Sequence, residues 1–243
     1  MRILGVCSYK GTNYYGWQKQ VGFVSVESTI EECLSKVYNS EINIIGSGRT
    51  DAGVHAFRQY FHYDTDKEKD LNQLMYSLNR MLPEDIKIIS LEVVNDDFHA
   101  RYSAKKKIYK YRIVLTNKDP LLYDQAYIYP MDFDFALFTQ ALKKFEGIHT
   151  FKDFTSKEED EGNFVREIYE IKMQQMNDEV VVLFIGNGFM RYQIRNMIGA
   201  AIAVANKKED ISFIENHLKE NKPREIISYK APACGLYLMD VLY

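Results

Sequence analysis

The stretch GSGRTDAGVHA, Gly46 to Ala56, places one aspartate, Asp51, directly behind Arg49 and Thr50 and between glycines. Gly46, Gly48 and Gly53 let the backbone turn tightly and let another molecule come close. An Asp in such a loop either closes the turn through its own backbone or is a reagent held out to a ligand. On the loop alone the turn-former is the commoner case, so the rest of the chain has to decide. EINIIG reads as a short strand entering the loop and VHAFRQYFHYD as a strand leaving it.

Outward from that loop, RILGVCSY reads as an opening strand. VESTIEECLSKVY is a helix, with Ile30, Cys33, Leu34 and Val37 at helical spacing behind caps at Ser25 or Ser28. The stripe Leu71, Leu74, Met75, Leu78 and Met81 predicts a second helix, stopped by Pro83. IKIISLEVV and IYKYRIVLT follow as strands. The second half repeats this grammar. DFALFTQALKKF is a helix ending near Gly147, and REIYEIKMQQM and EVVVLFIG form a hairpin around Asn177-Asp178. RYQIRNMIGAAIAVANKK is a long helix, ISFIENHLK a shorter one, and GLYLMDVLY a closing strand. These elements predict an α+β chain of two lobes, 1–115 and 116–243, with the connector Thr116 to Tyr127 as the boundary, the sheets able to join and a cleft between them.

Composition narrows the class. At 243 residues, with 46% hydrophobic and 27% charged residues, the chain is expected to be a soluble globular protein. Its longest apolar run, MIGAAIAVA from Met197, has nine residues, too few for a membrane span, and MRILGVCSYK reads as a strand rather than a signal peptide. Cys7, Cys33 and Cys234 are odd in number and never form CxxC, which argues for reduced thiols in a cytosol, with neither disulfides nor a zinc site. The net charge of −3 does not advertise a nucleic-acid partner, but its distribution does more. RYSAKKKIYKYR, Arg101 to Arg112, carries six basic residues and no acidic one, while KEEDEG (Lys157 to Gly162) and DTDKEKD (Asp64 to Asp70) gather negative charge. A polyanion responds to such a local field.

Several familiar sites are excluded. The third glycine of a dinucleotide fingerprint would fall at Asp51, and Val54-His55 replace the Lys-Ser/Thr of a P-loop. The five histidines form no HExxH and have no carboxylate cluster beside them, so no metal is expected. Ser47 lacks the hydrolase elbow. What remains is one carboxylate with arginines and tyrosines, a set suited to an anionic, aromatic substrate: arginine binds phosphate or keeps Asp51 ionised, and tyrosine stacks on a base. On a strand, Tyr109 and Tyr111 share one face and Lys110 and Arg112 the other. Ordinary sheet packing is the competing explanation for the tyrosines. His99 and His149 are RNA contacts or core residues, with the core slightly favoured.

GRTDAGVHA resembles, residue for residue, the signature of the TruA family of tRNA pseudouridine synthases. Five further blocks resemble that family in order: YKGTNYYGWQKQ from Tyr9, FHARYSAKKKIYKYRI from Phe98, GIHTFKDF from Gly147, GFMRYQIRNMIG from Gly188 and APACGLYL from Ala231. The resemblance implies an isomerase that converts uridine to pseudouridine without metal or small-molecule cofactor. The N1–C1′ bond breaks, the base rotates, and C5 joins C1′. It implies that Asp51 is the catalytic aspartate, attacking C1′ or taking a proton in a glycal route, and that Arg195 pairs with it. Tyr109 would stack on the uracil and move the C5 proton. Arg49 would hold RNA and help extrude the base, Leu236 would line the pocket under it, and the basic block would bring Arg101, Lys105 and Lys107 to the substrate. It implies two lobes with a joined antiparallel sheet and a central catalytic cleft, a cytoplasmic homodimer, no membrane, and the tRNA anticodon stem-loop as substrate, at positions 38, 39 and 40. Lys10, Thr150, Arg191 and Gln193-Ile194 depart from the family pattern, leaving a different RNA target as an alternative. A non-catalytic RNA-binding or RNA-folding protein is a second alternative, and a nucleotide-binding enzyme a third.

Overall fold

The computed structural model describes residues 1–131, 134–156 and 162–243; most of the acidic KEEDEG stretch lies outside them. In chain order the first half holds β1 (Arg2–Tyr9), α1 (Val26–Tyr38), β2 (Ile45–Gly46), β3 (His55–Asp64), α2 (Leu71–Met81), β4 (Ile86–Val94) and β5 (Lys106–Val114). The second half holds β6 (Tyr127–Ile128), α3 (Phe135–Lys143), β7 (Gly147–Thr150), β8 (Val165–Met176), β9 (Glu179–Gly186), α4 (Gln193–Ala205), α5 (Ile211–His217) and β10 (Leu236–Leu242). Two compact units result, one of Met1–Lys105 with Tyr237–Tyr243 and one of Lys106–Leu236. The boundary expected at 115/116 lies inside the second unit, and the end of the chain returns to the first.

In the first unit β1 is flanked by antiparallel β3 (Arg2↔Asp64) and β4 (Arg2↔Val94). β2 lies antiparallel to β3, and β10 parallel to it at Tyr237↔His55. α1 begins at a capping box in which Ser25 and Ser28 each accept from the other's backbone N–H, so both candidate caps are used. It buries Val26, Ile30, Leu34 and Tyr38, and the left-handed Asn39 ends it. Asp70 caps α2, and the Asn79 side chain bonds both backbone groups of Ile88, pinning the helix to β4. Of EINIIG only Ile45–Gly46 pairs as a strand; Ile42 and Ile44 are buried without sheet geometry.

The second unit carries the antiparallel order β5-β9-β8-β7, with β6 parallel on the other edge of β5. The β8–β9 hairpin turns at Asn177, whose φ of 52° suits its short polar side chain. β7 was not expected: GIHT is too short and mixed to show a period of two. α4 is buried almost all round, from Ile194 and Met197 through Ala205, as a helix apolar on every face must be. It starts at Gln193, two residues later than expected, because Tyr192 takes a left-handed conformation.

Histidine burial differs from expectation. His99 and His149 are half-exposed and close local turns: His99 Nδ1 accepts from the N–H groups of Arg101 and Tyr102, and His149 Nε2 donates to the Glu146 carbonyl. The core histidines are His55, His62 and His217. His62 accepts from the Ala100 N–H, and burial, with Arg2 and His99 nearby, pushes its pKa down to about 4. The unfolded chain therefore binds more protons than the folded one below the ordinary value of 6.5, and stability falls with pH until it has passed through about 4. Urea midpoints at pH 7 and pH 5 should diverge less in His62→Asn, which keeps an acceptor but cannot charge.

Candidate active site

The Asp51 loop is built almost entirely by its neighbours. A side chain at Gly46 would collide with the Trp17 indole, and one at Gly16, whose φ is 85°, with the Thr50 carbonyl. Ser47 N–H donates to Tyr60 O at 2.7 Å and Ser47 Oγ to Gln59 Oε1 at 2.9 Å; the buried Gln59 in turn donates to Gly48 O at 2.7 Å. Thr50 is buried, with its hydroxyl 2.8 Å from Tyr9 OH and its carbonyl accepting from Trp17 N–H. The turn after it is closed by main chain, Val54 N–H to Asp51 O at 3.1 Å, with Gly53 at φ 79°. Buried side chains thus hold both sides of a loop in which Asp51 stays half-buried and Arg49 is exposed. Such restraint is what positioning a reagent requires.

Of the other expected site residues, Arg101 and Lys105 lie with Asp51 and Arg49 in the first unit; Lys107, Tyr109, Arg195 and Leu236 lie in the second. Arg101 and Lys105 are exposed, and the Arg101 guanidinium sits 5.7 Å from the Tyr102 ring centroid. Tyr109 is buried in β5, opposite Phe184 and edge-on to Phe189 at 5.3 Å. Tyr111 is buried beside it, and its hydroxyl donates to Pro232 O at 2.8 Å. Lys110 is half-buried on the opposite face, and burial, with Arg112 nearby, lowers its pKa.

Arg195 stands in the first turn of α4, half-exposed. Its Nε donates to Ala231 O at 2.8 Å, and its own carbonyl accepts from Ala231 N–H at 3.0 Å. Its guanidinium is therefore aimed by a segment 36 positions away. Leu236 is buried at the start of β10, behind Gly235, where a side chain would run into Arg112 O and the Tyr111 ring. Sequence reasoning missed Tyr192, whose ring lies against Arg191, Arg195 and Lys230, and Lys230 itself; the positive φ of Tyr192 has no signature in the residue type. Among the described residues no group of three His, Cys, Asp or Glu side chains could hold a metal, and no helix is long and apolar enough to cross a membrane.

The fold is α+β, and it carries a carboxylate on a braced glycine loop. The family model described as tRNA pseudouridine synthase matches residues 6–103 and 141–243, and the chain belongs to that family. It is an isomerase that makes pseudouridine in tRNA. The tRNA pseudouridine synthase A of Exiguobacterium sp. is 37% identical over 242 residues, covering 100% of this chain and 98% of its own. That of Geobacillus sp. is 37% identical, with 100% and 98% covered, and that of Streptococcus mutans 35% identical, with 100% and 99% covered.

Proposed function

We propose that this protein isomerises uridine in the tRNA anticodon stem-loop, at positions 38, 39 and 40, with Asp51 as the reacting carboxylate. The observation that carries the reading is the Asp51 loop, held by buried bonds to Gln59, Tyr9 and Tyr60 while the aspartate itself stays within reach of solvent. Asp51 opens the N1–C1′ bond by attacking C1′ or by accepting a proton. Arg195 supplies positive charge to the reaction. Tyr109 offers its ring to the uracil, stacking being the safer role for a phenol at neutral pH. Arg49, Arg101, Lys105 and Lys107 take RNA phosphates, and Leu236 gives apolar surface to the base. The target uridine flips out of its stem at a cost of a few kcal/mol. The protein works in the cytoplasm as a homodimer.

The departures from the family pattern keep a different RNA as the alternative target, but not all of them face outward. Gln193 is buried and accepts from Met190 N–H at 2.9 Å, so it serves the turn into α4 rather than a ligand. Thr150 is half-buried in β7, which leaves Lys10 and Arg191 as the exposed changes. Both add positive charge. The test is pseudouridine mapping of in vitro transcribed tRNAs carrying uridine at 38, 39 or 40, incubated with the protein. Pseudouridine at those positions is expected; modification confined to another part of the tRNA would overturn the assignment.

A further inference from the structure

Three cations converge on one tyrosine ring in the second unit. The Lys230 ammonium is 4.5 Å from the Tyr192 ring centroid, the Arg191 guanidinium 4.9 Å and that of Arg195 5.3 Å. Arg191 also donates to the Tyr192 hydroxyl at 3.1 Å. Two features hold the cluster together. Tyr192 keeps φ at 63°, a conformation costly for a residue with a large side chain and retained only where surroundings enforce it. Gly199 lets the 229–230 backbone lie directly against α4, since a side chain there would meet Tyr229 C at 2.8 Å and Lys230 N at 2.9 Å. The paired bonds between Arg195 and Ala231 hold the same segment.

Like charges this close repel, and an aromatic face offsets only part of that repulsion. Among the described residues no carboxylate pairs with Arg191 or Lys230, and both are exposed. Three cations gathered on one tyrosine ring, two of them exposed, are complementary to a compact anion with several acceptor oxygens. We infer that Tyr192, Arg191 and Lys230 form, with Arg195, a cradle for one backbone phosphate of the RNA substrate. The inference rests on the proposed function for the identity of the anion. The cradle puts the binding of that phosphate and the setting of Arg195 into one packed cluster, so a correctly seated strand also steadies the arginine.

The test is the salt dependence of tRNA binding, measured by fluorescence anisotropy between 50 and 300 mM KCl, for the wild type, R191Q, K230Q and the double variant. Each single substitution should lower the slope of log K against log salt by about one. Affinity at 0.1 M salt should fall about five- to eightfold for each cation removed. Tyr192→Phe, which keeps the ring, should retain the wild-type slope. The control K208Q, an exposed lysine beyond the other end of α4, should leave the slope unchanged. A double variant with the wild-type slope overturns the inference. So does an unaltered slope combined with thermal stabilisation by inorganic phosphate in the wild type alone, which would assign the cradle to a free anion. Because binding rather than turnover is read, a wild type that shows the cradle-dependent slope but makes no pseudouridine would overturn the proposed function and leave the cradle standing.

Discussion

Asn in place of Asp51 should lower the single-turnover rate of pseudouridine formation by at least about 10³-fold, within the range for removing a positioned acid–base group. Binding should not weaken, because the substitution removes a negative charge from a surface that meets a polyanion. The loop should survive, since its bonds to Tyr9, Gln59 and Tyr60 and its main-chain turn at Val54 do not use the group that changes. Excess enzyme, one labelled tRNA and pseudouridine mapping against time would measure the rate. A loss under tenfold with binding intact would return Asp51 to the role of turn-former. A variant that no longer binds tRNA would mean instead that the carboxylate organises the loop.

The second large effect is one of stability. Asp153 is fully buried and accepts from Lys222 Nζ at 2.8 Å and from Glu225 N–H at 2.9 Å, and it lies 2.7 Å from His217 Nδ1. Burial pushes its pKa up, but Lys222, the Glu225 amide and His217 together hold it below the ordinary carboxylate value. Lys152 adds bonds to Glu220 O and Lys222 O, and Arg224 returns bonds to Lys152 O and Thr155 O. The segment after α5, irregular until residue 232, therefore hangs from the KDFT turn. Asp153→Ala leaves the Lys222 ammonium only the longer pairing with exposed Glu225 at 3.7 Å, and leaves His217 without its carboxylate, which should cost about 3–5 kcal/mol. For a chain of this size that is roughly 10 °C in Tm, read by calorimetry. The contribution is present above the unfolded pKa of the carboxyl and is lost as pH falls through the lower, folded value, so the gap between wild type and variant should narrow in acid. A drop of less than 2 °C at pH 7 would sink this account.

Much of the fold was legible in local pattern. The stripes of α1 and α2, the stop at Pro83 and the Asn177-Asp178 hairpin follow from periodicity and turn chemistry that a short window contains. The elements that escaped are those whose geometry is imposed from outside. β7 pairs through Gly147↔Ile168 to Thr150↔Val165, so its partner rather than its own composition makes it a strand. IYKYRIVLT, Ile108 to Thr116, reads as a strand; it is observed two residues earlier, at Lys106–Val114, and joins the second unit, because eight consecutive pairs run from Lys107↔Gly186 to Val114↔Glu179.

The candidate site divides the same way. The membership of the family was readable from six ordered blocks, and Asp51, Arg195 and Tyr109 could be proposed from them, because a glycine loop and its carboxylate are contiguous and carried by residue type. The bracing of that loop by Gln59 and Tyr9, the aiming of Arg195 by Ala231 and the placing of Lys230 over Tyr192 were not. Each joins side chains or backbone groups 11 to 41 positions apart, through bonds whose partners no short window holds. By itself the sequence determined which groups are available for the chemistry. Tertiary packing decided where each is held, because only a folded backbone can bring a distant carbonyl or ammonium within bonding distance and keep it there.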